Sequence, residues 1–242
     1  MKLPQKTYNF PEGEILLIDK PLEWTSFDVV NFIRSFLRKI YGGRKLKVGH
    51  AGTLDPLATG LLIICTGRFT KRIDEFQGMD KVYIGSMHLG ATTPSFDGET
   101  EIDKEFDVSG IEDKMILEAT KFFVGDIEQL PPKYSAIKIK GKRAFEYARK
   151  NKDVELKPRS VKIGDFSILN IKLPNIDFSV DCSKGTYIRS LVRDFGEKLN
   201  NGAYLTGLRR TQIGDFNVSD ALSLDEFKKA VLSQTETESD ID

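Results

Sequence analysis

The sequence predicts an α+β fold, a sheet flanked by helices, and three observations carry that reading. Runs with strand character are interspersed with amphipathic helical stretches along the whole chain. Neither an internal repeat nor a linker breaks the pattern between Ile15 and Val231. A hydrophobic fraction of 40% over 242 residues is enough for a core, and 30% charged residues suit a soluble surface. The expected organisation is one domain over 13–232, after a loose leader at 1–12 and before a disordered acidic tail at 233–242.

Residues 14–20 read as a buried strand stopped by Pro21. Ser26 is the predicted N-cap of a helix in which Val29, Val30, Ile33, Phe36, Leu37 and Ile40 share one face, and Gly42-Gly43 ends it. The run GHAGTLDPLATG follows at 49–60. Its glycines at 49 and 52 permit a tight turn or close approach to a ligand. Asp55 is the only acidic group in it. Pro56 pushes Asp55 toward extended backbone and suits the first position of a helix. On chemistry alone the commonest role for such an Asp is an N-cap.

Residues 70–78 are predicted helical and 81–87 a strand, with Tyr83 facing away from Val82 and Ile84. A second amphipathic helix is expected over 109–125, buried through Ile111, Met115, Ile116, Ala119, Phe122 and Phe123. Strands return at 161–163, 166–168 and 176–182. A helix then runs through Val192, Phe195 and Leu199 to Asn200, and a last short one begins at Leu222.

Composition narrows the function. No apolar run approaches the roughly 20 residues that span a bilayer, and no charged-then-apolar leader opens the chain. Cys65 and Cys182 fall in apolar or strand-like stretches and read as reduced core residues, pointing to the cytoplasm. With His50 and His88 the only histidines, no zinc-type ligand spacing exists; His88 reads as structural. Net charge is zero, but residues 133–162 hold eleven Lys and Arg against three acids, an excess masked by the acidic end of the chain. Aromatics interleave with that basic excess, so 131–160 reads either as an RNA-gripping insertion or as an ordinary solvated surface.

Several of these stretches resemble the tRNA pseudouridine synthase B family. The run from Gly49 to Leu62 matches that family's GHxGTLDPxATGxL at every fixed letter. Residues 182–191 match CSKGTYIRSL, and 208–211 match LRRT. Residues 131–138 resemble PxxYSAxK, and 141–149 resemble GxxxYExAR with Phe145 for the usual tyrosine. Lys20-Pro21 with Thr25-Ser26 resembles KPxGxTS, with Glu23 where glycine is usual. Residues 89–98 match LGxxTxTxDxxG only in part.

The resemblance implies a mixed, largely antiparallel sheet, in a short form without an extra C-terminal RNA-binding domain. It implies isomerisation of uridine 55 in the T-loop of tRNA, with no cofactor, no metal and no obligatory protein partner. Asp55 would be the carboxylate that attacks C1′ or takes a proton from C2′. Arg189 would pair with it and hold it charged. Tyr83 would lie against the uracil, His50 would fill the space left by the flipped base, and Tyr187 and Leu208 would wall the pocket. Lys20, Lys138, Lys142 and Arg143 are expected to contact the RNA. The chief alternative is a non-catalytic chaperone that refolds tRNA with the same surface. A glycoside hydrolase lacks its second carboxylate here, and a guide-RNA-dependent enzyme lacks its C-terminal domain.

Overall fold

The computed structural model describes residues 7–135, 138–139, 141–148 and 156–239. Along the chain, β1 (Ile15–Lys20) leads to α1 (Ser26–Ile40), then β2 (Val48–Ala51) and β3 (Ala58–Thr66). A 3₁₀ segment, Gly67–Arg72, precedes α2 (Ile73–Gly78) and β4 (Lys81–Leu89). Two short strands, β5 (Ala91–Thr92) and β6 (Lys104–Glu105), come before α3 (Asp113–Thr120) and β7 (Gly125–Gln129). A hairpin of β8 (Lys138–Ile139) and β9 (Lys142–Arg143) leads to α4 (Ala144–Ala148). The chain closes with β10 (Arg159–Lys172), β11 (Asn175–Cys182), α5 (Ile188–Lys198), β12 (Ala203–Ile213), β13 (Phe216–Asn217) and α6 (Leu224–Ser239).

These elements form two compact units: Met1–Lys81 with Arg209–Asp242, and Val82–Leu208. Both divisions fall inside or at the start of a strand, β4 and β12, so composition has no linker to reveal. Each unit is α+β, with antiparallel ladders flanked by helices.

In the first unit β1 pairs antiparallel with β3 from Ile15↔Cys65 to Lys20↔Gly60. β2 pairs with the end of β3, from Val48↔Thr66 to Ala51↔Ile63. β3 is buried on both faces, which is why 61–65 reads as an unbroken apolar run. Leu62 and Ile64 join Leu16, Ile18 and α1 in one cluster, while Leu61, Ile63 and Cys65 pack with Ala51, Phe76 and Ile213. No helix follows Pro56: the Ala58 N–H donates to the Asp55 carbonyl at 3.0 Å, and a tight turn leads straight into β3. Burial of the apolar run as a central strand overrides the helix-opening preference of proline.

The leader is not loose where it is described. Phe10 is 1% exposed in the core; it stacks on Tyr8 and meets Tyr41 and Phe227 edge-on. Nor does order end at Ser233, since α6 continues to Ser239. Gln234 explains part of this: it accepts from the Tyr8 N–H at 2.8 Å and donates to the Tyr8 carbonyl at 3.0 Å. Residues 1–6 and 240–242 lie outside the described residues.

In the second unit the strand order is β12, β4, β11, β10, β7. β10 pairs antiparallel with β11, as in Phe166↔Val180, and with β7, as in Val161↔Ile127. Phe166, Phe178, Phe195 and Phe123 interlock under α3 and α5. The helix expected over 109–125 is shorter: it begins at Asp113 and passes into a 3₁₀ turn at Lys121–Phe123. The 3.6-residue period fails in that turn, so Phe122 is 63% exposed rather than core, under the Lys198 ammonium at 3.5 Å.

Candidate active site

Asp55 sits in the turn between β2 and β3, half-buried, and the residues on either side of it are fixed by 20–26. Ser26 Oγ accepts from the Leu54 N–H at 2.8 Å and donates to the Leu54 carbonyl at 3.2 Å. Ser26 is free to do so because it is not the N-cap. Thr25 caps α1 instead, in a capping box with Asp28. After Asp55, the Pro56 carbonyl accepts from the Glu23 N–H at 2.9 Å and from Lys20 Nζ at 3.4 Å. Glu23 stands where the resembling family has glycine, and it takes a glycine-like φ of 66°. The loop shape is thus kept against the cost of a left-handed non-glycine residue. Glu23→Gly is expected to stabilise the fold by about 0.5–1 kcal/mol, read as a higher urea midpoint with an unchanged m-value.

Lys20 is turned inward. It is fully buried, and its ammonium also donates to the carbonyls of Pro21 at 2.8 Å and Trp24 at 2.5 Å. Burial pushes its pKa down to about 8, against the pull of the nearby Asp55 charge. Its part is to hold the Asp55 turn, its ammonium directed at these carbonyls where the resemblance implies an RNA contact. Alternation could not reveal this, because a terminal strand lysine reads as solvated.

His50 lies on β2, opposite Ile64. Burial lowers its pKa, the Arg210 guanidinium lowers it further, and a backbone interaction with Gly52 works the other way. Its Nδ1 is buried with no hydrogen bond of good geometry. Next along β12, Arg209 forms a forked ion pair with Asp19 at 3.0 and 2.7 Å. Arg210 turns inward and is 1% exposed.

In the second unit Tyr83 is buried on β4, and Ile84 beside it is exposed, as the alternation predicts. Tyr187 is the N-cap residue of α5; its N–H donates to Gln129 Oε1 at 2.7 Å, and the Arg159 guanidinium lies 5.1 Å from its ring centre. Arg189, in the first turn of α5, is buried. It donates to the carbonyls of Ser95 at 3.2 Å and Tyr134 at 2.8 Å, and pairs with the Asp97 carboxylate at 3.5 Å. Asp97 is a buried acid to which the sequence alone assigns no role, although it is the aspartate of the partly matched motif at 89–98. Leu208 is half-buried on β12. His88 packs on Tyr204 with ring centres 5.3 Å apart. Lys138 and Lys142 belong to the β8–β9 hairpin, in which Lys138 is opposite Arg143; the side chains of all three lie outside the described residues.

Among the described residues no cluster of three or more His, Cys, Asp or Glu could hold a metal ion. No described helix is long and apolar enough to cross a membrane.

Two family models match the chain. One, described as TruB family pseudouridylate synthase (N terminal domain), covers residues 38–188; the other, described as tRNA pseudouridylate synthase B C-terminal domain, covers 189–242. The class is therefore pseudouridine synthase, an isomerase. A tRNA pseudouridine synthase B from Phocaeicola vulgatus is 56% identical over 219 residues, 90% of this chain and 93% of that protein. The protein of the same name from Flavobacterium johnsoniae is 53% identical over 91% of this chain and 96% of its own. The chain belongs to the TruB family.

Among solved structures, a Cbf5-Nop10-Gar1 complex matches with a TM-score of 0.69 at 28% identity, over 91% of this chain. An H/ACA RNP bound to a substrate RNA containing 2′-deoxyuridine matches with a TM-score of 0.69 at 25% identity, over 95% of this chain. This chain spans about half the length of those two, 54% and 56%.

Proposed function

We propose that this chain converts uridine 55 in the T-loop of tRNA to pseudouridine, with Asp55 as the reacting carboxylate. The observation that carries the reading is the Asp55 turn itself. A half-buried acid is held by backbone bonds on both flanks, within a run that matches the family signature throughout. Relatives named tRNA pseudouridine synthase B supply the substrate class.

In this reaction the N1–C1′ bond breaks, the uracil turns in place, and C5 bonds to C1′ while the C5 proton leaves to water. Bond cleavage builds positive character at C1′, which an adjacent carboxylate stabilises or captures. Asp55 either attacks C1′ or removes the C2′ proton. Deuterium at C2′ separates the routes, since only proton removal gives a primary isotope effect. Tyr83 is assigned to the face of the uracil, and Arg189 to the countercharge of the Asp55 carboxylate. His50 takes the space the flipped base leaves, and Tyr187 and Leu208 line the pocket. Lys138, Lys142 and Arg143 are assigned to the RNA backbone.

An unmodified T-arm hairpin carrying tritium at uridine C5 tests this reading. One tritium released per hairpin is expected. Binding without release would instead favour the chaperone.

A further inference from the structure

The Asp55 turn is closed from behind by one side chain that none of these roles includes. Arg210 donates from Nε to the Leu61 carbonyl at 2.7 Å and from NH2 to the Gly52 carbonyl at 3.0 Å. Gly52 lies three residues before Asp55 and Leu61 six residues after it. A single planar fork therefore ties the two arms of the turn together, in a geometry that a lysine ammonium cannot copy.

Two glycines of the turn lie close to Arg210, Gly60 against its backbone and Gly52 against its guanidinium. Gly60, at φ 102°, has no room for a Cβ, which would collide with the Arg210 backbone carbonyl. A Cβ on Gly52, at φ 84°, would meet Arg210 NH1 at 3.4 Å. The close approach at Gly60 comes from the Arg210 backbone, while the guanidinium lies at ordinary contact distance from Gly52, whose φ favours glycine on its own account.

We propose that Arg210 is a positioning residue for the reaction: its buried guanidinium sets the conformation of the turn that presents Asp55. The claim rests on the proposed function for its kinetic consequence alone. The side chain touches backbone of the turn, so it acts on chemistry through Asp55 rather than on RNA.

Its charge has a second effect. Arg210 lowers the pKa of both His50 and Lys20, so a fixed cation discourages protonation of the ring beside the turn. The elements packed against β2 carry further charges: Asp28, Arg34, Arg38 and Lys39 on α1, Arg68, Lys71 and Arg72 on the 3₁₀ segment, and Asp74 and Glu75 on α2. None of these contributes to the His50 shift.

Arg210→Lys and Arg210→Gln test the proposal on the full chain. With a T-arm hairpin, Arg210→Lys is expected to lower kcat on the order of 10²-fold, as misplacement of a reacting group by about 1 Å does, with KM within about threefold. Arg210→Gln should lose at least as much. In nuclear magnetic resonance titrations the His50 pKa should rise in Arg210→Gln and stay close to wild type in Arg210→Lys, where the charge survives. A folded Arg210→Lys with kcat within about threefold of wild type would overturn the proposal, as would a rise in KM alone. An unmoved His50 in folded Arg210→Gln would also overturn it. If Arg210→Gln does not fold, the Arg210→Lys kinetics still decide. If the wild type leaves the hairpin unconverted, the proposed function fails, and the His50 titration still tests the placement of Arg210.

Discussion

Asp55→Asn is expected to remain folded, to bind a T-arm hairpin within about threefold of wild type, and to lose turnover by on the order of 10⁴-fold or more. The fold survives because the turn is held through the backbone of Leu54 and Pro56, by Ser26, Glu23 and Lys20. The amide is nearly isosteric with the carboxylate but has no negative charge. It can neither stabilise a developing cation at C1′ nor take a proton from C2′. Circular dichroism and a binding titration serve as controls. Retained turnover in a well-folded variant would remove Asp55 from the chemistry.

Lys20→Met is expected to cost about 2–4 kcal/mol of stability, because three carbonyls lose their buried donor. The wild-type lysine adds a pH signature. Its folded pKa of about 8 lies below the value of 10.5 it has when unfolded. Between those limits the unfolded chain binds more protons, so this group makes stability rise with pH. The rise amounts to on the order of 3 kcal/mol, from 1.36 kcal/mol per pKa unit, and is absent in Lys20→Met. Turnover should move the other way, falling as the ammonium beside Asp55 is lost above pH 8. In Asp55→Asn the stability rise should begin at lower pH, because the Asp55 charge raises the Lys20 pKa. Urea midpoints measured from pH 7 to 11 check this, and parallel curves for wild type and Lys20→Met would contradict it.

Much of the fold is legible in the sequence because it is written in local periodicity. The alternation of β11 gives its buried face directly, and the apolar face of α1 is buried at Val29, Val30, Ile33 and Leu37 as its spacing predicts. The run at 49–60 is legible as the place where a carboxylate is presented. What supports that carboxylate is not. Arg210 is 149 residues from Leu61 and 158 from Gly52 in the chain, and neither separation leaves a local trace. Lys20 at a strand end reads as surface until the loop that wraps its ammonium is in place. Thr25 and Ser26 are both good caps by type; only the partner at Leu54 decides that Ser26 serves the turn. Similarly, Asp97 is one acid among many until Arg189 is found beside it. Phe10 reads as part of a loose leader because a single buried ring has no period.

The central claim is tested most directly on a full-length unmodified tRNA transcript, mapped uridine by uridine after incubation with wild type and with Asp55→Asn. One new pseudouridine is expected, at position 55 and with wild type only. Conversion at other uridines in its place, or equal conversion at position 55 by Asp55→Asn, would contradict the account.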